Sequence, residues 1–197
     1  MSRNLIPVFA IVLAAGLGLG VTALAQDASP VTVIVASGPA TTIENFELQT
    51  NTIIVRGFSL VGSLAIGSDL VSVHAKEDND VTHGRKVYGI TVQLTDSRQT
   101  PGSASVVAID YDELDSLLNA INYVSTVTWG VTQLNGFEAT FTTKSGFTVI
   151  AHSDRRQGAI VTYVQLGAGP RIAVDSNELS QLKNLIGQAK NTLDGLK

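Results

Sequence analysis

Two carboxylate pairs recur in this chain at the same spacing, Asp110…Glu113 and Asp175…Glu178. Paired carboxylates can serve as general acid and base, but only when both converge on one bond of a substrate. Each pair stands where a β-type run hands over to a helical one. The Asp falls at the N-cap, where its oxygen accepts a backbone N–H, and the Glu falls at the third helical position, near the positive end of the helix dipole. Capping accounts for both copies at once.

The three histidines, His74, His83 and His152, have no short-range ligand spacing, so a metal site would have to be assembled across the fold. Asp78-x-Asp80-x-Thr82 begins like a calcium loop. His83 then occupies the sixth position, where such a loop needs Gly, and Gly89 the twelfth, where it needs Glu. The stretch from Glu77 to Arg85 therefore reads as a solvated, charged hairpin loop. No nucleophile elbow, dinucleotide fingerprint or phosphate loop occurs outside the N-terminal leader. The absence of cysteine removes disulfide and thiolate chemistry. The sequence thus assigns no catalytic residue, no cofactor and no metal.

Two basic pairs remain, Arg85-Lys86 and Arg155-Arg156, at strand edges or hairpin tips in corresponding parts of the two halves of the chain. If the halves are related by a two-fold, these four residues flank the seam between them and form a rim able to hold an anionic ligand. Neighbouring Asp154 and the Glu77 to Asp80 run offset that field. Charge on an edge strand also guards against unwanted strand pairing. Trp129 and Tyr123 read as core or staple residues.

The elements that must position these groups follow from periodicity. Thr41 stands three residues before Glu44, a capping-box spacing that opens a short helix through Ile43 and Phe46. Runs rich in Val, Ile and Thr at 52–61, 68–76, 86–95 and 103–109 read as strands. Leu114, Leu117, Leu118 and Ile121 then repeat at helical spacing. The same order returns, with strands at 136–143, 146–153, 158–166 and 170–174 and a turn at Lys144-Ser145-Gly146. A closing helix from Ser176 carries Leu179, Leu182, Ile186, Ala189 and Leu193 on one face, and Gly195 stops it.

The duplication extends to residues. The segment 109–121 aligns with 174–186 at an offset of 65, with Asp, Glu, Leu, Leu, Asn and Ile coinciding. The fold class expected is α+β, two tandem antiparallel ββββα units related by pseudo-two-fold symmetry in one domain. The units span 41–125 and 126–197, after a lead-in strand and linker at 26–40. Because the two helices should bury each other's sheet, neither half is expected to fold alone.

The strand order ending in an Asp-capped helix with Glu-Leu-x-x-Leu, clearest over residues 170–182, resembles the unit of the Whirly and transcriptional-coactivator group of single-stranded DNA-binding proteins. That resemblance implies a curved four-stranded sheet followed by a helix, and a nucleic-acid-binding sheet face supplied with Lys, Arg and aromatics. It carries no functional residue over. The chain is 6% aromatic, with a net charge of −4, which disfavours a polyanion partner.

Arg3, an uncharged run from Leu5 to Ala25, and Ala23-Leu24-Ala25 before Gln26-Asp27 have the layout of a secretory signal peptide spanning 1–25, cleaved after Ala25. A retained membrane anchor is the alternative, since about 20 apolar residues suffice to span a bilayer. Loss of Arg3 would take the net charge from −4 to −5. The expectation is an exported, periplasmic or extracellular, non-catalytic binding or interaction module. Its partner would be a protein or an anionic ligand, it would not be stably inserted in a membrane, and its composition is compatible with a monomer. An enzyme built from dispersed residues and a single-stranded nucleic-acid binder are the alternative readings.

Overall fold

The computed structural model describes residues 40–96, 104–154, 156 and 158–197, all within one compact unit, Ser37–Lys197. The expected signal peptide, the strand before Ser37, the 97–103 loop and Arg155 lie outside the described residues.

A short helix, α1 (Thr42–Glu47), precedes a meander of β1 (Ile54–Ile66), β2 (Asp69–Asp80), β3 (Arg85–Asp96) and β4 (Ala104–Asp110). One 3₁₀ turn, Tyr111–Glu113, leads into α2 (Leu114–Thr126). A second, Trp129–Val131, leads towards β5 (Glu138–Thr142), β6 (Phe147–Asp154), β7 (Ala159–Leu166) and β8 (Ile172–Val174). The chain closes with α3 (Ser176–Asp194). Both sheets are antiparallel and ordered as in the chain, so the molecule is α+β with two tandem ββββα units.

The helices cross over. α3 lies against β1, β2 and β3 of the first sheet, α2 lies against β5 and β6 of the second, and the two helices touch. The stripe on α3 is buried as its spacing requires, from Leu179 through Leu182, Ile186 and Ala189 to Leu193. It meets Val71, Val73 and Ala75 in one core shared with Phe147, Val149 and Ala151. Each large aliphatic side chain buried there contributes roughly 1.5–3 kcal/mol. The register of β1 on β2 shifts between Leu60 and Gly62, and a Cβ at Gly62 would run into Leu185 of α3. The bulge and the missing side chain together let the helix settle on the sheet.

On the opposite face of the first sheet α1 covers only the end near Gly89 and Asp78, and Phe58, Leu60 and Val106 on that face are exposed. Gly89 is the Cα partner of both Lys76 and Asp110, and a Cβ there would overlap Ile43 of α1 and the Ile109 carbonyl. Only glycine lets the helix come this close. Thr41 caps α1 in the expected box with Glu44.

Two expectations are corrected. The Glu77 to Arg85 segment is a solvated turn only at residues 81–84: β2 runs on to Asp80, β3 begins at Arg85, and Asp78 and Asp80 are fully buried. Alternation in a strand puts both aspartates on the face that α1 and the hairpin tip enclose. Trp129 and Tyr123 are not core residues, being 43% and 51% exposed. Trp129 packs edge-on against Phe137, with ring centroids 6.2 Å apart. No helix among the described residues is long and apolar enough to cross a membrane.

Candidate functional site: two hairpin-tip clefts

Arg85 and Lys86 lie at the β2–β3 tip, beside an open cleft of about 550 Å³ also lined by Phe46 and Gln49. The tip is organised by Asp80. Its buried carboxylate accepts from Thr52 Oγ1, from the N–H groups of Thr82 and His83 at 3.1 Å each, from His83 Nδ1 at 2.8 Å and from Arg85 at 2.7 Å. Burial alone would raise its pKa, but the bonds from Thr52, Arg85 and His83 outweigh burial and hold it far below the usual carboxylate range. Arg85 also donates to Gln49 and stands 5.7 Å from the Phe46 ring centroid. Lys86 pairs with Glu77 at 2.8 Å, which raises the lysine's pKa. Arg85 therefore holds the hairpin against α1, and Lys86 bridges β3 to β2.

Arg156 lies at the β6–β7 tip, in a separate open cleft of about 670 Å³ that shares no lining residue with the first. Phe137 forms its apolar part, and Glu138, His152 and Asp154 its polar part. Glu138 accepts a bidentate pair from Arg171 at 2.9 and 3.2 Å, and this keeps its pKa low. His152 Nδ1 lies 3.5 Å from Glu138. Ser153, next in sequence, spends its hydroxyl on the Phe137 backbone at 2.7 and 3.1 Å, while Thr140 Oγ1 donates to Glu138 at 3.3 Å. Arg156 donates its backbone N–H to Asp154 at 2.8 Å, and no carboxylate among the described residues lies within ion-pair range of its guanidinium.

Of the four basic residues named from sequence, the three described ones line two separate clefts. Arg85 and Lys86 are tied into the first tip, Arg156 stands in the second with no ion-pair partner among the described residues, and Arg155 lies outside the described residues. Sequence reasoning passed over Glu138 and Phe137 beside Arg156 and weighed His152 only as a metal ligand. It also passed over a cluster under α1 formed by Glu47, Lys76 and Asp78. The Asp-x-Asp spacing that suggested a loop is equally the period of a strand, and that reading puts both carboxylates on one face. No group of three or more histidines and carboxylates able to hold a metal occurs among the described residues. Comparison with protein-family models, with curated proteins and with solved structures gave no match to this chain.

Proposed function

We propose that the protein is an exported, non-catalytic binding module that engages an anionic partner at the β6–β7 cleft. The observation that carries this reading is Arg156, a cation without an ion-pair partner among the described residues, standing beside His152 and the apolar Phe137 in an open cleft. Guanidinium recognises carboxylate or phosphate in a planar, bidentate manner, and the neighbouring ring supplies apolar contact. Glu138 is already matched by Arg171 and adds little repulsion. Export with cleavage after Ala25 belongs to the same proposal, and a mature N-terminus at Gln26 is its readout. The likeness to the Whirly unit is carried forward as a proposal about topology only, supported by the ββββα order.

The test replaces Arg155 and Arg156 with Ser and compares the variant with wild type by NMR titration against uronic-acid and sulfated oligosaccharides and acidic peptides. Binding that weakens tenfold or more, with unchanged melting, is expected, because exposed charges contribute little to stability. Equal retention of every anion by both proteins would move the binding surface elsewhere.

A further inference from the structure

Asp78 is the one side chain among the described residues whose buried oxygens find no hydrogen-bond partner, and both of its oxygens are in that state. Such a group calls for a physical reason, since burying an unmatched carboxylate is costly. Its surroundings supply one. On β2, Lys76 Nζ lies 3.5 Å from Asp78 Oδ2 and donates to Glu47, the last residue of α1. On β1, Arg56, the Cα partner of Asp78, reaches Glu47 at 3.4 Å. On β3, the partner of Asp78 is the uncharged Val87. Two carboxylates therefore abut beneath α1, one enclosed and one partly open, with a lysine against both. When both are ionised neither can donate to the other. When Asp78 takes a proton from solvent, its O–H can donate to Glu47.

We infer that the Glu47–Asp78 pair is a proton-operated latch that docks α1 on the first sheet more firmly in mildly acid than in mildly alkaline solution. Burial, opposed by Lys76 and reinforced by Glu47, pushes the Asp78 carboxyl up to about 6, while Lys76 and Arg56 hold Glu47 below its usual value despite its own burial. The docked value of Asp78 exceeds its free value, so its contribution to docking is present in mild acid and is lost as pH rises through about 6, whereas that of Glu47, with its lowered value, is lost only in stronger acid. With 3.8 for the free carboxyl and about 6 docked, undocking becomes about tenfold easier at pH 8 than at pH 5. Thr42 and Phe46 of α1 form part of the cleft that holds Arg85 and Lys86, so the same proton sets access to that cleft.

Amide exchange of Phe46 and Glu47, followed by NMR from pH 5 to pH 8 and corrected for the intrinsic rate, reads the latch directly. Wild type is expected to lose about tenfold in protection across this range. Asp78→Asn keeps the shape, donates to Glu47 at every pH and should show constant protection. Glu47→Gln, a second variant that donates to an ionised Asp78, should flatten the profile as well. Constant protection in wild type overturns the proposal. So does a tenfold loss that survives in both variants, because His74 and His83 or another group would then carry it.

Discussion

Asp110 and Asp175 occupy equivalent positions at an offset of 65, and each forms a capping box with the Glu three residues on. Their surroundings differ. Asp175 is exposed, and its exchange with Glu178, 2.7 Å in each direction, is local. Asp110 is 2% exposed and gathers partners from distant parts of the chain: the N–H groups of Thr42 and Ile43 at 2.8 and 3.1 Å, and Lys144 Nζ at 3.1 Å. The backbone N–H of Lys144 meanwhile donates to Glu113 at 2.8 Å. One copy remains a helix start. The other has become a junction joining α1, the first unit and the β5–β6 turn of the second. Duplication supplied the same local chemistry twice, and burial gave one copy a second task.

The largest expected effect follows from the exchange of helices between sheets. Removing residues 126–197 strips α3 from the first sheet and exposes Val71, Val73 and Ala75, so the remaining half should be insoluble or molten. A cooperative thermal melt of that fragment would show that each unit closes its own core.

Next comes the contrast between the two aspartates. Asp110→Ala leaves two α1 amides without their acceptor and Lys144 with Asp112 alone, and should cost about 3 kcal/mol in urea unfolding, against about 1 kcal/mol for Asp175→Ala. Equal losses would mean that the junction contributes nothing beyond its cap. The pH dependence has a definite sign. Burial would raise Asp110's pKa, but the bonds from Thr42, Lys144 and Ile43 hold it below the ordinary aspartate value. Its stabilisation is therefore present at neutral pH and lost as pH falls through that lowered value, and Asp110→Ala should remove this part of the acid sensitivity.

Much of this architecture was legible in the residues. The stripe Leu179, Leu182, Ile186, Ala189 and Leu193 is buried in full, and Lys144 and Ser145 form the turn that Gly146 completes with a φ of 87°. These features are local, set by periodicity and turn chemistry. What escaped depends on distant pairing. Asp78 and Asp80 lie in a strand only because a strong ladder with β3, from Lys76↔Gly89 to Asp80↔Arg85, carries β2 through a charged sequence. Arg85 looked free because Asp80, Gln49 and Phe46 reach it through the fold. Trp129 read as core because an aromatic side chain predicts burial on average, whereas this one lies in the linker between units.

The smallest effect has the opposite sign and tests the seam between the helices. Gly187 lies inside α3, and a Cβ there would meet nothing within 4 Å. Glycine in a helix interior loses more backbone freedom on folding than alanine, so Gly187→Ala should stabilise the protein by about 0.5–1 kcal/mol. The equivalent residue of the first unit is Asn122, whose side chain accepts from Lys183 Nζ of α3 at 3.0 Å. Asn122→Ala gains helix propensity of similar size but forfeits that exposed interhelical bond, so its net effect should be within about 0.5 kcal/mol of zero. Urea midpoints of the two variants give the difference directly. A loss at position 187 would mean that α3 packs more closely than its open Gly187 surface allows, and a clear gain at position 122 would show that Lys183 contributes nothing to holding the helices together.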